Sequence, residues 1–242
     1  DSEFYDWLVA EIAKRFEALQ PGVRVDVQSG GSSRGVNDAR KELADIGMVS
    51  RSLKTSEQEL TANTIAWDGI TIILHKSNPV ISLSEAQVRD VFTGHVTNWK
   101  QLGGEDLAIV VVNKAEGRST LELFLKHFSL RNSQIEADII IGDNQQGLKT
   151  VAGNPLAIGY VSIGTAAYEE QNGAQVKLLP IEGVSATLSN VGKGLFPISR
   201  PLNLVTKGKH SALVEKFIHF AQSPEVKDLV HQQFFIPFNA PK

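Results

Sequence analysis

The chain has 242 residues, 42% hydrophobic and 21% charged, a make-up ordinary for a soluble globular protein of one large or two small domains. Its net charge of −3 offers no basic field for nucleic acid or an anionic membrane, and the lack of cysteine excludes disulfides and thiolate metal sites. Apolar runs such as residues 107–112 fall far short of a membrane span. No signal peptide is read, and a start at Asp1 fits a processed or trimmed chain.

Phe4, Leu8, Ile12, Phe16 and Leu19, with Trp7 beside them, form a helical apolar stripe that Pro21 and Gly22 end. Val23, Val25 and Val27 alternate with polar residues, which predicts a strand. A glycine- and serine-rich loop at 29–35 leads from it into a helix at 37–43. A second strand is expected at 44–50, a short helix at 55–60 and a long apolar strand at 66–74. Ser84 opens a helix to Val91, with Gln87 placed to complete a capping box. Trp99 lies in a loop and is read as core packing. Residues 107–112 predict a buried strand, and Leu121, Phe124, Leu125 and Phe128 mark one face of the following helix. Strands follow at 139–141, 157–161, 176–179 and 202–205, and helices at 144–152, 164–171, 209–222 and 224–232. The alternation predicts an α/β fold with mainly parallel sheets. There is no repeat, low-complexity tract or flexible linker. Crossovers between lobes are expected near Leu74 and Leu202, so that residues 1–74 and 201–242 form one lobe and 75–200 the other.

The loop at 29–35 is built to close around an anion. Gly31 and its neighbouring glycines let amides approach closely, the helix start offers unpaired N–H groups, and Ser32, Ser33 and Arg34 add donors. Residues 114–120 repeat this logic. Gly117 allows a tight turn, Ser119 or Thr120 is placed to cap the next helix, and Lys114 and Arg118 bring positive charge to its N-terminus. The helix dipole disfavours cations there, so an anion between them makes better sense of the pair. In open α/β sheets ligands sit at the carboxyl ends of strands, and two such loops on two lobes predict a ligand held in a cleft. Both loops also read as ordinary capped turns. Gly31-Ser32-Ser33-Arg34-Gly35 matches a nucleophile elbow, with Ser33 as nucleophile of a serine hydrolase. Against this, only one strand precedes the loop, and the six histidines sit singly, with His127, His219 and His231 in helical stretches. No histidine pair or acidic run has metal-ligand spacing, so no metal site and no cofactor are expected.

The chain resembles the periplasmic phosphate-binding proteins of bacterial phosphate ABC transporters over nearly its whole length. The match lies in GGSSRG at 30–35, ADIGMVSR at 44–51, VRDVFTGHVTNW at 88–99, GRST at 117–120, AIGYV at 157–161 and FPISRP at 196–201. The resemblance implies a two-lobed periplasmic-binding-protein fold, type II-like, whose lobes close over one phosphate. It implies phosphate contacts from Ser32, Arg118, Ser119 and Thr120. Lys114 stands where the family often carries arginine, and Ser2 stands for a hydroxyl of the family's N-terminal loop. Gly31, Ser33 and Arg51 complete the candidate set with Ser50, which replaces an aspartate of some members. That aspartate accepts the proton of monohydrogen phosphate, so a serine there weakens the argument for rejecting sulfate. The implied role is non-enzymatic delivery of phosphate to a membrane permease by an exported monomer, periplasmic or held at the cell surface as a lipoprotein. A sensor or adhesion module for phosphate or another tetrahedral oxyanion is the alternative.

Overall fold

A computed structural model describes residues 3–238. The chain begins with α1 (Glu3–Leu19), α2 (Gly31–Arg40), β1 (Gly47–Val49) and β2 (Leu60–His75). It continues through α3 (Glu85–Phe92), β3 (Val110–Lys114), α4 (Ser119–Phe128), β4 (Ile139–Ile141), α5 (Asn144–Ala152), β5 (Ala157–Ser162), α6 (Ile163–Gln171), β6 (Val176–Leu178) and α7 (Leu188–Gly192). It closes with β7 (Ser199–Lys207), α8 (Ala212–Ala221), α9 (Lys227–Gln232) and β8 (Ile236–Pro237). Two compact units result: Asp1–Asp68 with Arg200–Lys242, and Gly69–Ser199.

In the first unit β7 lies between β1 and β2, and β8 pairs with β2 at Ala66↔Pro237 and Trp67↔Ile236. β1 runs antiparallel to β7, with Met48 opposite Leu204. The core joins Leu8, Ile12 and Phe16 of α1 to Leu202, Leu204, Phe217 and Phe235. The buried stripe of α1 is turned slightly from the expected one. Tyr5 and Val9 face inward, while Trp7 and Leu19 are exposed. Buried Tyr5 donates its hydroxyl to the carbonyl of Asn203 at 2.5 Å, which orients the start of the helix on β7.

The strand expected at 23–27 is not formed. Its period-two burial is present, with the three valines half-buried against the core and Arg24 and Asp26 exposed. Pattern alone does not supply a ladder partner, however. The Val25 N–H donates instead to the Glu17 carboxylate at 2.7 Å, and a cavity of about 450 Å³ is lined by this segment together with Ile46 and Met48.

In the second unit β2 continues beside β5, antiparallel, with Ile72 opposite Tyr160. β6 also pairs antiparallel with β2. Only β3 with β4 and β3 with β5 are parallel among the described pairings. The expectation of mainly parallel sheets is therefore corrected to a mixed α/β fold. A single long strand, β2, runs antiparallel to β8 in the first unit and to β5 and β6 in the second. Phe92, Phe124, Phe128 and Tyr160 form an aromatic cluster, with Phe124 and Tyr160 stacked at 4.1 Å and 9°. It fastens α4 to β5, which matters because α4 begins at the candidate anion loop. Trp99 is buried in this unit and donates to the Leu156 carbonyl at 2.9 Å, as core packing requires.

Candidate anion-binding loops

In the first unit the stretch at 29–35 is less of a loop than its composition suggests. Helix α2 starts at Gly31, six residues before the predicted start. Gly31 holds φ at 79°, a left-handed value natural to glycine. The N-cap residue is Gly30, no side chain caps the helix, and its first turn carries no acidic residue. The leading N–H groups of a helix have no acceptor inside it. Ser32 and Ser33 lie in this first turn, the former buried and the latter exposed.

Ser32 and Ser50, eighteen positions apart, are brought together here. The Ser50 N–H donates to Ser32 Oγ at 3.0 Å, and the two hydroxyl oxygens lie 3.2 Å apart. The cause is a direct backbone contact of α2 on β1. A Cβ on Gly35 would fall 2.3 Å from the Met48 carbonyl oxygen, and one on Gly47 would fall 2.2 Å from the Gly35 carbonyl oxygen. Only glycine at both positions permits the approach.

The nearby cations are committed elsewhere. Arg34 donates to the Ser29 carbonyl at 3.0 Å, to Gln28 at 2.9 Å and to Asp38 at 3.2 Å, which ties the turn down. Arg51 grips Glu57 with both ends of its guanidinium, at 2.8 and 3.0 Å. That hydrogen-bonded pair holds the Glu57 carboxyl down to about 2. Arg51, a candidate from sequence, is thus engaged as a brace of the 51–57 turn. Ser33 sits on the exposed first turn of α2, with no strand before it, so the strand–turn–helix frame of a nucleophile elbow is missing. Ser2 lies outside the described residues.

In the second unit β3 ends at Lys114, and Gly117 turns the chain with φ of 82°. The N-cap of α4 is Arg118, with no side-chain cap. Ser119 and Thr120 are the first helical residues and do not cap the helix, contrary to the sequence expectation. Thr120 is buried. Elsewhere in this unit Ser84, Asp143 and Thr187 do cap their helices. The Ser84–Gln87 capping box forms as expected, at 2.9 and 3.1 Å.

Lys114 is buried to 2% exposure, and its ammonium donates to Asn144 Oδ1. Asn144 also accepts from the Ser162 N–H at 3.2 Å. Arg118 is exposed, and its Nη2 comes within 3.8 Å of where a Cβ on Gly142 would lie. The start of α5 therefore joins the 114–120 turn at one place. Asn144 was missed from sequence. Its one signal was its position just after a strand and at a helix start.

A polar chain steadies the turn from behind. Tyr160 donates to Asn113 Oδ1 at 2.6 Å, Asn113 donates to Asn132 at 3.1 Å, and Asn132 donates to Glu116 at 3.2 Å. Burial pushes the Tyr160 hydroxyl well above its ordinary range, so it stays a protonated donor. Each unit thus presents a helix start with uncapped N–H groups and adjacent hydroxyls, and the second adds a cation. Such donor sets suit an oxyanion.

Comparison with known proteins agrees with this chemistry. Residues 2–225 match the model of the PBP superfamily domain. The chain is 28% identical to the phosphate-binding protein PstS of Bacillus subtilis, over 95% of this chain and 76% of that protein. A protein of Clostridium perfringens classed as a phosphate ABC transporter substrate-binding protein, solved with bound phosphate, is 33% identical, with a TM-score of 0.66 over 98% of this chain and 97% of that one. An ABC-type phosphate transport receptor from Vibrio cholerae is 29% identical, with a TM-score of 0.76 over 97% of each chain.

Proposed function

The chain belongs to the PBP superfamily, and we propose that it binds inorganic phosphate and delivers it to the membrane permease of an ABC transporter. It is a binding protein and not an enzyme, like the phosphate-binding relatives it matches along nearly its whole length. The observation that carries the reading is the pair of helix starts without a side-chain cap, at Gly31 and at Ser119, the first on a left-handed glycine and the second two residues after one. In this reading the two compact units are the two lobes of the binding protein. The phosphate donors are Ser32, the Gly31 amide and Ser50 from the first, with Ser33 at its edge, and Lys114, Arg118, Ser119 and Thr120 from the second. Arg51 acts through Glu57 and not on the ligand. Charge-assisted hydrogen bonds supply most of the affinity, each worth about 1.5–3 kcal/mol. The protein acts as an exported monomer, periplasmic or anchored at the surface; no helix among the described residues is long and apolar enough to cross a membrane.

Ser50 sets the selectivity question. It offers a hydroxyl beside Ser32, with none of the charge that repels fully ionised sulfate. Calorimetric titration with phosphate, sulfate and arsenate near neutral pH tests the reading. Phosphate is expected to bind more tightly than sulfate, and sulfate binding equally tightly overturns phosphate specificity. Arg118→Ala is expected to weaken phosphate binding by about tenfold to a hundredfold. An unchanged affinity removes the 114–120 turn from the site.

A further inference from the structure

Three residues that sequence spacing kept apart meet on the second unit. Glu85 is the first residue of α3, His127 lies in the last turn of α4, and Glu182 sits in the turn closed by the Ile181–Val184 bridge. Their ligand atoms all lie within 4.8 Å of one another. His127 Nε2 and Glu85 Oε1 are already in hydrogen-bond contact. The imidazole is half-buried and edge-on to Phe128, with ring centroids 4.8 Å apart at 83°. This packing fixes which way the ring faces.

We infer that Glu85, His127 and Glu182 form a site for a borderline divalent transition-metal ion of the zinc class. Three protein ligands, one imidazole and two carboxylates, leave a coordination position for water, as in three-ligand zinc sites. Metal–ligand bonds of about 2.0–2.2 Å space tetrahedral ligand atoms by about 3.4 Å. Binding opens the His127–Glu85 hydrogen bond to this spacing, the ion replacing the shared proton, and draws in the exposed Glu182 side chain. Charge points the same way. The two carboxyl groups share a hydrogen bond, which raises Glu182 above the usual carboxylate range, and a cation between them relieves their repulsion. The imidazole disfavours magnesium and calcium, which take all-oxygen shells. Placement also suits a cation, because the last turn of α4 is the negative end of that helix. A bound ion would join α3, α4 and the 181–184 turn. The site is independent of the phosphate reading, because none of its residues belongs to the anion loops.

The test is titration of the intact protein with zinc chloride in phosphate-free buffer, followed by calorimetry, with cobalt(II) absorption as a second readout. One equivalent is expected to bind saturably, with visible d–d bands from cobalt. His127→Gln and Glu182→Gln are each expected to weaken binding at least tenfold and to abolish the bands, while phosphate titration stays unchanged. Glu182 is exposed, so its variant keeps the test decisive if His127→Gln folds poorly. No saturable binding overturns the inference, and so does binding that Glu182→Gln leaves unaltered.

Discussion

At the level of single residues, the Arg51–Glu57 pair has a consequence in acid. Its bidentate hydrogen bonds hold the folded-state carboxyl at about 2, against about 4.3 in an unfolded chain. A lowered carboxylate adds stability above its unfolded value and loses it as pH falls toward the folded one. The contribution is therefore complete above roughly pH 5 and lost progressively down to about pH 2. Glu57→Gln is expected to reduce stability near neutrality by on the order of 1 kcal/mol and to flatten the loss between these limits. Urea unfolding at a series of pH values measures it, and a curve as steep as that of the parent protein counts against the pair. Sequence showed Arg51 only as a cation next to a candidate serine. Glu57 is six residues on, and nothing in its spacing marked it as the partner. Ser32 and Ser50 carry the opposite lesson, since the family motifs placed both beside the ligand and the fold brings them together.

At the level of elements, the contact between α2 and β1 decides the geometry of the first candidate anion loop. The close approach at Gly35 and Gly47 sets the distance between Ser32 and Ser50. In Gly35→Ala the new methyl group meets the Met48 carbonyl, a backbone atom that cannot rotate away. The expected cost is about 1–3 kcal/mol of overpacking, together with weaker phosphate binding as the serines part. Thermal unfolding and calorimetry read the two effects, and a variant as stable as the parent refutes the contact's role. Elements with strong periodic signals were legible. They include α1, the capped α3, the amphipathic α4, the short strand β4 and the buried strand β5. The strand at 23–27 was not, because alternation reports a half-buried face and says nothing about an available edge. The start of α2 was misplaced because glycine and serine, read as loop formers, here occupy a first helical turn packed on a strand.

At the level of the whole molecule, the chain leaves the first unit after Asp68 and re-enters it at Arg200. These two residues pair with each other, with Arg200 Nη2 donating to Asp68 Oδ2 at 3.1 Å and both side chains buried. The ion pair joins the ends of the two chain segments that make up this unit. Asp68→Asn leaves a buried guanidinium uncompensated, and a loss of about 3–5 kcal/mol is expected. Equilibrium unfolding by urea measures it, and a loss below 1 kcal/mol would show that the pair is neutral to stability.

The sequence by itself determined the α/β class, the helix stripes and, through its motifs, the phosphate-binding family. These rest on local periodicity and on short contiguous segments, which one chain displays directly. Tertiary structure alone decided that the sheets are mixed, that Arg34 and Arg51 are spent on neighbours, that α2 and α4 start uncapped, and that Glu85, His127 and Glu182 converge. The strand directions and the Glu85–His127–Glu182 cluster depend on which groups meet across long separations in the chain, whereas the arginine pairings and the helix starts turn on local geometry that residue spacing does not fix. Strand direction, ion pairing and ligand clusters arise from packing, and packing is a property of the folded chain.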